Sequence, residues 1–193
     1  MNRALNWTVL LTVLLGCRGQ GSQALRETVR SGDSVAVIRV LREMSVSVDI
    51  DEDGEITSID TSQQRLYADK KFTDDDCKQL AHLAAAGHLS KLESLDFYFA
   101  PVSDKGCRAL AALETGRSLS LGRTQVSDAG VRHLARLVHM QPLDLSVPTI
   151  NNAALQDISD LEQLRELRLA VTQINDEALV NRQRLKALET LVL

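Results

Sequence analysis

From residue 92 onward the apolar positions recur with a period of 24. Leu92, Gly116, Met140, Leu164 and Leu188 hold one phase. Leu95, Leu119, Leu143, Leu167 and Leu191 hold a second, and Phe97, Leu121, Leu145, Leu169 and Leu193 a third. Around the last two phases apolar and polar residues alternate, which predicts a short strand in each unit with its leucines inward and about 4.8 Å between neighbouring strands. The outward positions are then Ser94, Asp96 and Tyr98; Ser118, Ser120 and Gly122; Pro142, Asp144 and Ser146; and Glu166, Arg168 and Ala170.

Between the strands a second signature repeats in the same register: Val102-Ser103-Asp104, Val126-Ser127-Asp128, Ile150-Asn151-Asn152 and Ile174-Asn175-Asp176. Ser and Asn are good helix N-caps, and Asp104, Asp128 and Asp176 would then stand in a first helical turn, where negative charge meets the helix dipole. The helix faces repeat as well. Cys107, Val131, Leu155 and Leu179 align, as do Leu110, Leu134 and Ile158, and Leu113, Leu137, Leu161 and Leu185; Arg182 interrupts the pattern, so the last helix should pack less well. Upstream, Phe72-Thr73-Asp74 precedes Val102-Ser103-Asp104 by 30 residues, which makes the first unit irregular, with Thr73 as its N-cap. The repeats are therefore placed at 63–193. They stop at Leu191-Val192-Leu193, inside a strand, which reads as a truncated unit with an uncapped edge open to self-association or to another chain.

Ahead of the repeats, residues 24–62 read as a cap for the open end of the stack. Leu25, Val29, Val37, Val40 and Leu41 suggest one or two short helices broken near Ser31-Gly32-Asp33. Val46-Ser47-Val48 and Ile56-Thr57-Ser58-Ile59 alternate around an Asp-Gly turn, which predicts a hairpin. The turn is acidic, and Asp49, Asp51, Asp53 and Asp60 with Gly54 match the ligand spacing of a helix-flanked calcium loop. Two readings stand here: a solvated hairpin turn, or a calcium site that stabilises the cap.

Residues 1–17 have the form of an export signal, with Arg3 ahead of an apolar run from Trp7 to Leu15 that is shorter than the roughly 20 residues a membrane-spanning helix needs. Leu14-Leu15-Gly16-Cys17 resembles the lipobox of a bacterial lipoprotein. That resemblance implies that Cys17 is lipidated and becomes the mature N-terminus, with 18–23 as a polar tether and the folded body anchored in the cell envelope. The alternatives are secretion with cleavage near Gly19 to Ala24, and an uncleaved apolar N-terminus.

Composition narrows the chemistry. Aromatic residues make up 3% of the 193, so leucine, alanine and valine must build the core. A formal net charge of -4 with scattered Lys and Arg gives no basis for a nucleic-acid partner. Cys77 and Cys107 share a helix position and are expected to be buried thiols. His82, His88, His133 and His139 share none, and no nucleophile elbow, phosphate loop or zinc-protease motif occurs, so no enzyme is expected and no cofactor beyond the possible calcium.

The run Thr124-Gln125-Val126-Ser127-Asp128-Ala129-Gly130-Val131 resembles bacterial leucine-rich repeat proteins of the planctomycete type, and is similar to the cysteine-containing repeats of F-box substrate receptors. The L-x-x-L-x-L core at this period carries the same resemblance. It implies an α/β solenoid with parallel strands on a concave face and helices on the convex face. It also implies a non-catalytic module binding an unidentified protein or peptide, with Asp96, Tyr98, Ser120, Asp144, Ser146, Glu166 and Arg168 as the candidate contact residues.

Overall fold

The computed structural model describes residues 21–31, 34–65, 71–147 and 149–193. The expected lipobox and Cys17 lie outside the described residues. Helix α1 (Gly21–Ser31) already contains Gly21 to Gln23, so the second half of the expected tether is helical; the Gln23 amide donates to Glu27 Oε1 one turn on, at 3.2 Å. Helix α2 (Ser34–Glu43) follows and buries Val37, Ile38, Val40 and Leu41. Strands β1 (Ser47–Ile50) and β2 (Ile56–Asp60) form the expected antiparallel hairpin, Val48 opposite Ile59. Gly54 at its turn has φ +81°, a conformation that side-chain-bearing residues rarely adopt, and its N–H donates to the Asp51 carbonyl at 3.0 Å.

After a 3-10 helix over Ser62–Arg65, the chain enters α3 (Asp74–Ala85) and then alternates: β3 (Ser94–Asp96), α4 (Asp104–Leu110), β4 (Ser118–Ser120), α5 (Asp128–Leu134), β5 (Pro142–Asp144), α6 (Asn152–Asp157), β6 (Glu166–Arg168), a 3-10 helix over Ala178–Arg184, and β7 (Thr190–Val192). All seven strands belong to one sheet in sequence order, antiparallel between β1 and β2 and parallel from β2 to β7. Ile59, Leu95, Leu119, Leu143, Leu167 and Leu191 stand opposite one another from strand to strand. The second hairpin strand thus occupies the strand position of a first unit, and the hairpin is continuous with the repeats. This is a leucine-rich repeat solenoid.

The core is one cluster running the length of the stack, and every helix-face position of the second to fourth units is at most 1% exposed. Phe72 and Phe97, both fully buried, meet in it at 5.3 Å between ring centroids. In the last unit the helix is 3-10 and Val180 is exposed, in line with the weaker packing expected there. Leu193, in phase with the core leucines, is 64% exposed, and β7 pairs with β6 among the described strands. At the opposite edge, the Arg42 guanidinium donates to the Val48 carbonyl at 3.1 Å and so occupies an acceptor of the free side of β1.

The repeated Asp does more than face its own helix. Asp74 accepts hydrogen bonds from Ser103 N–H (2.8 Å), Ser103 Oγ (2.6 Å) and Gly106 N–H (3.0 Å). Asp104 accepts from Ser127 N–H and Oγ, both at 2.7 Å, and Asp128 from Asn151 N–H at 2.9 Å. In the fourth unit Asn152 replaces the Asp and exchanges two bonds with Asn175. Each unit therefore satisfies the free backbone donors at the start of the next unit's helix, and a ladder of carboxylates clamps the stack along its length. Ser103, Ser127 and Asn151 also cap their own helices, as expected from their position. At Thr73 the reach is reversed: its N–H and its hydroxyl both donate to Asp76 Oδ2, at 2.8 and 2.9 Å.

Cys77 and Cys107 are buried free thiols in α3 and α4. Burial raises both pKa values: Cys77 well above the ordinary thiol range, with Cys107 and nearby carboxylates adding to the effect, and Cys107 to about 12. A raised folded-state value means that the native chain holds its protons after the unfolded chain has lost them. The thiols' contribution to stability is thus fully present below about pH 9 and lost as pH rises from there towards 12. Denaturant midpoints measured from pH 8 to 11 should fall, and a Cys77→Ala, Cys107→Ala chain should show a flatter profile; parallel profiles would contradict the assigned burial.

Candidate binding surface

Alternation in the strands puts every second side chain on the concave face. One row across the sheet reads Ser58, Ser94, Ser118, Pro142, Glu166, Thr190, and the next Asp60, Asp96, Ser120, Asp144, Arg168, Val192. The inward partners are closed off, with Leu95, Leu119, Leu143 and Leu167 at most 1% exposed, whereas the outward residues from Ser94 to Glu166 are half-buried and Arg168 is exposed. Asp96, Tyr98, Ser120, Asp144, Glu166 and Arg168 all line a single open groove of about 480 Å³ on this face, and Ser146 lies just beyond it.

The acidic residues in the second row have a double role. Asp60, Asp96 and Asp144 each use Oδ1 to accept the N–H two residues on, from Ser62 at 2.6 Å, Tyr98 at 2.8 Å and Ser146 at 2.8 Å. Each carboxylate closes the turn that follows its strand and is held in place by it. Ser120 stands in the same row without that function, and its short side chain leaves a notch between Asp96 and Asp144. Tyr98 is in the turn after β3 rather than in the strand, and its ring lies across Gly122. A Cβ there would stand 2.8 Å from Tyr98 Cδ2 and 3.2 Å from Asp144 Oδ2, so glycine is what lets the tyrosine lie down. Arg168 donates to Glu166 Oε1 at 2.6 Å, and that hydrogen bond holds its guanidinium above the ordinary pKa.

One element of the surface escapes sequence reasoning. Phe99, Arg123 and Val171 adopt left-handed backbone conformations with φ of 66°, 57° and 58°, at one repeat position along the rim of the sheet. The Arg123 guanidinium carbon sits 5.4 Å from the Phe99 ring centroid, a cation–π contact, while Phe99 and Val171 are 41% and 62% exposed. The equivalent Val147 is buried, and its N–H turns back to the Leu145 carbonyl at 2.7 Å. Pro148 follows it in the sequence, and a residue before proline is driven out of helical conformations into extended ones. The register of these four positions is visible in the sequence. The conformation is not, because none of them is glycine or asparagine.

The calcium geometry is not assembled. The loop is flanked by strands, and the antiparallel pairing puts Asp49 opposite Ser58 and Asp60 opposite Ser47, while Asp51 and Asp53 stay at the turn. Asp51 Oδ1 is already taken by Asp53 N–H at 3.0 Å and Glu55 N–H at 2.9 Å. Among the described residues no group of three or more His, Cys, Asp or Glu side chains is placed to hold a metal ion. The acidic hairpin turn is what the residues form.

No protein-family model and no curated protein matches the chain. Among solved structures it is similar to two internalins of Listeria monocytogenes. For inlF the identity is 19%, with 64% of this chain and 39% of that one covered and a TM-score of 0.44. For inlC2 the identity is again 19%, with 70% and 50% covered and a TM-score of 0.49. The chain thus spans between two fifths and one half of their lengths. It is also similar, at 13% identity, to a plant peptide hormone receptor, RGFR1, in complex with RGF2, covering 76% of this chain and 36% of that one with a TM-score of 0.37.

Proposed function

We propose that this protein is a non-catalytic binding module that holds a protein or peptide partner on its concave sheet face, tethered to the bacterial cell envelope through a lipidated Cys17. The observation that carries the binding reading is the asymmetry of the sheet. One side is sealed by the leucine core, and the other is a continuous groove of half-buried polar side chains with an aromatic wall and an arginine, residue types enriched among binding anchors. The tether rests on the Leu14 to Cys17 resemblance alone.

One preparation tests both halves. The full chain, isolated from its native envelope with a photo-crosslinking amino acid at position 120, should give a discrete adduct, and the same probe at the exposed position of Arg108 on α4 none. Equal adducts from both positions, or none from position 120, would remove the concave face as the binding surface. Mass spectrometry of the same material should find an acylated Cys17 at the N-terminus. An unmodified Cys17, or a chain starting beyond it, would remove the tether and leave the binding result standing.

A further inference from the structure

The concave face carries a charge pattern that specifies its occupant, provided that this face is the binding surface argued above. We propose that the partner presents an extended cationic segment, with arginine or lysine at alternate positions, that lies across the strands and seats one cation in the notch over Ser120.

Charge complementarity carries the choice of occupant. At the outward strand positions five carboxylates, Asp49, Asp60, Asp96, Asp144 and Glu166, stand against one guanidinium, Arg168, which is already bound to Glu166. The whole chain's formal net charge, -4, has the same sign as this face and so does not oppose it. A face of this sign attracts cationic segments and disfavours acidic ones.

The spacing favours alternate positions. Asp96 and Asp144 flank Ser120 by one strand each, about 9.6 Å between their Cα atoms at about 4.8 Å per strand, so a cation over Ser120 lies between both free Oδ2 atoms. A second cation shared by Asp60 and Asp96 would stand about 7 Å from the first. An extended chain places side chains on one face every two residues, also about 7 Å apart. The Tyr98 ring, laid over Gly122 beside the notch, offers its surface to the aliphatic stem and the charge of the seated residue.

The test uses three labelled, end-blocked hexapeptides titrated with the full chain and read by fluorescence anisotropy. One alternates arginine and serine, one has the same composition with its arginines adjacent, and one alternates glutamate and serine. The alternating arginine peptide should bind best and weaken as salt is raised. Asp96→Asn with Asp144→Asn, which keeps the acceptors that close the turns, should weaken it about tenfold. Ser120→Lys, which puts the chain's own ammonium in the notch, should do the same. Asp75→Asn with Asp160→Asn, on the helical side, should change nothing, and circular dichroism checks that each variant is folded. If the glutamate peptide binds as well and its affinity changes with Ser120→Lys, the partner chemistry is wrong and the concave surface stands. Arginine binding that ignores the Asp96 and Asp144 substitutions, or no binding by any peptide, overturns the proposal, while crosslinking from position 120 judges the wider reading by itself.

Discussion

Leu143→Asp is expected to unfold the centre of the solenoid, whereas Asp144→Asn, one residue further along the same strand, leaves the denaturation midpoint close to that of the parent chain. Leu143 is 1% exposed and stacks between Leu119 and Leu167. Its replacement removes about 2 kcal/mol of leucine burial. It also leaves an unpaired carboxylate in an apolar layer, which costs several kcal/mol more, against a total stability on the order of 5 to 15 kcal/mol for a domain of this kind. Because each unit contacts only its neighbours, damage at β5 separates the stack into two shorter pieces. Asp144 points to the other face, and asparagine keeps the oxygen that accepts the Ser146 N–H. Chemical denaturation followed by circular dichroism decides the matter, and similar midpoints for the two variants would refute the inward and outward assignment of the strand.

Much of this arrangement is legible in the chain because its cause is local and repeated. A leucine at one phase of a 24-residue period has one way to be buried, so Leu95, Leu119, Leu143 and Leu167 announce both the strand and its register. The outward residues follow by alternation, and Asp96, Ser120, Asp144, Glu166 and Arg168 are found in one groove as a result. Legibility fails where the deciding interaction lies between units. The irregular first unit hides the fact that Ile59 is its strand leucine, since 36 residues rather than 24 separate it from Leu95. The rim of Phe99, Arg123 and Val171 depends on backbone conformations that no side chain there announces. The acidic hairpin has the residue spacing of a calcium loop, but strands in place of helices spread its carboxylates along the hairpin, Asp49 opposite Ser58 and Asp60 opposite Ser47, where a calcium loop would converge them on one point.

The same limit explains how the repeated Asp is read from sequence as a partner for its own helix dipole, whereas in the fold it belongs to the next unit. From this a graded outcome is expected: Asp74→Ala most damaging, Asp104→Ala less, Asp128→Ala least, because the three carboxylates accept three, two and one hydrogen bonds from the following cap. With a net value of about 1.5 to 3 kcal/mol per bond to a charged group, discounted because all three residues are half-exposed, the losses should run from about 3 kcal/mol down to about 1. The helix position that receives the carboxylate reports the same ladder. It is glycine in the two units where the contact is tightest, Gly106 and Gly130, and Ala154 in the third. A Cβ on Gly130 would come 2.5 Å from Asp104 Oδ1, 3.0 Å from Val126 Cγ1 and 3.1 Å from the Asp104 backbone, so Gly130→Ala should expel the carboxylate and cost at least as much as Asp104→Ala. The double variant should then lose clearly less than the sum of the two single ones, since both remove the same carboxylate contact. Additive losses, or an order in which Asp128→Ala is the worst, would show that the units are held together by their leucines alone and that the ladder only decorates the seam.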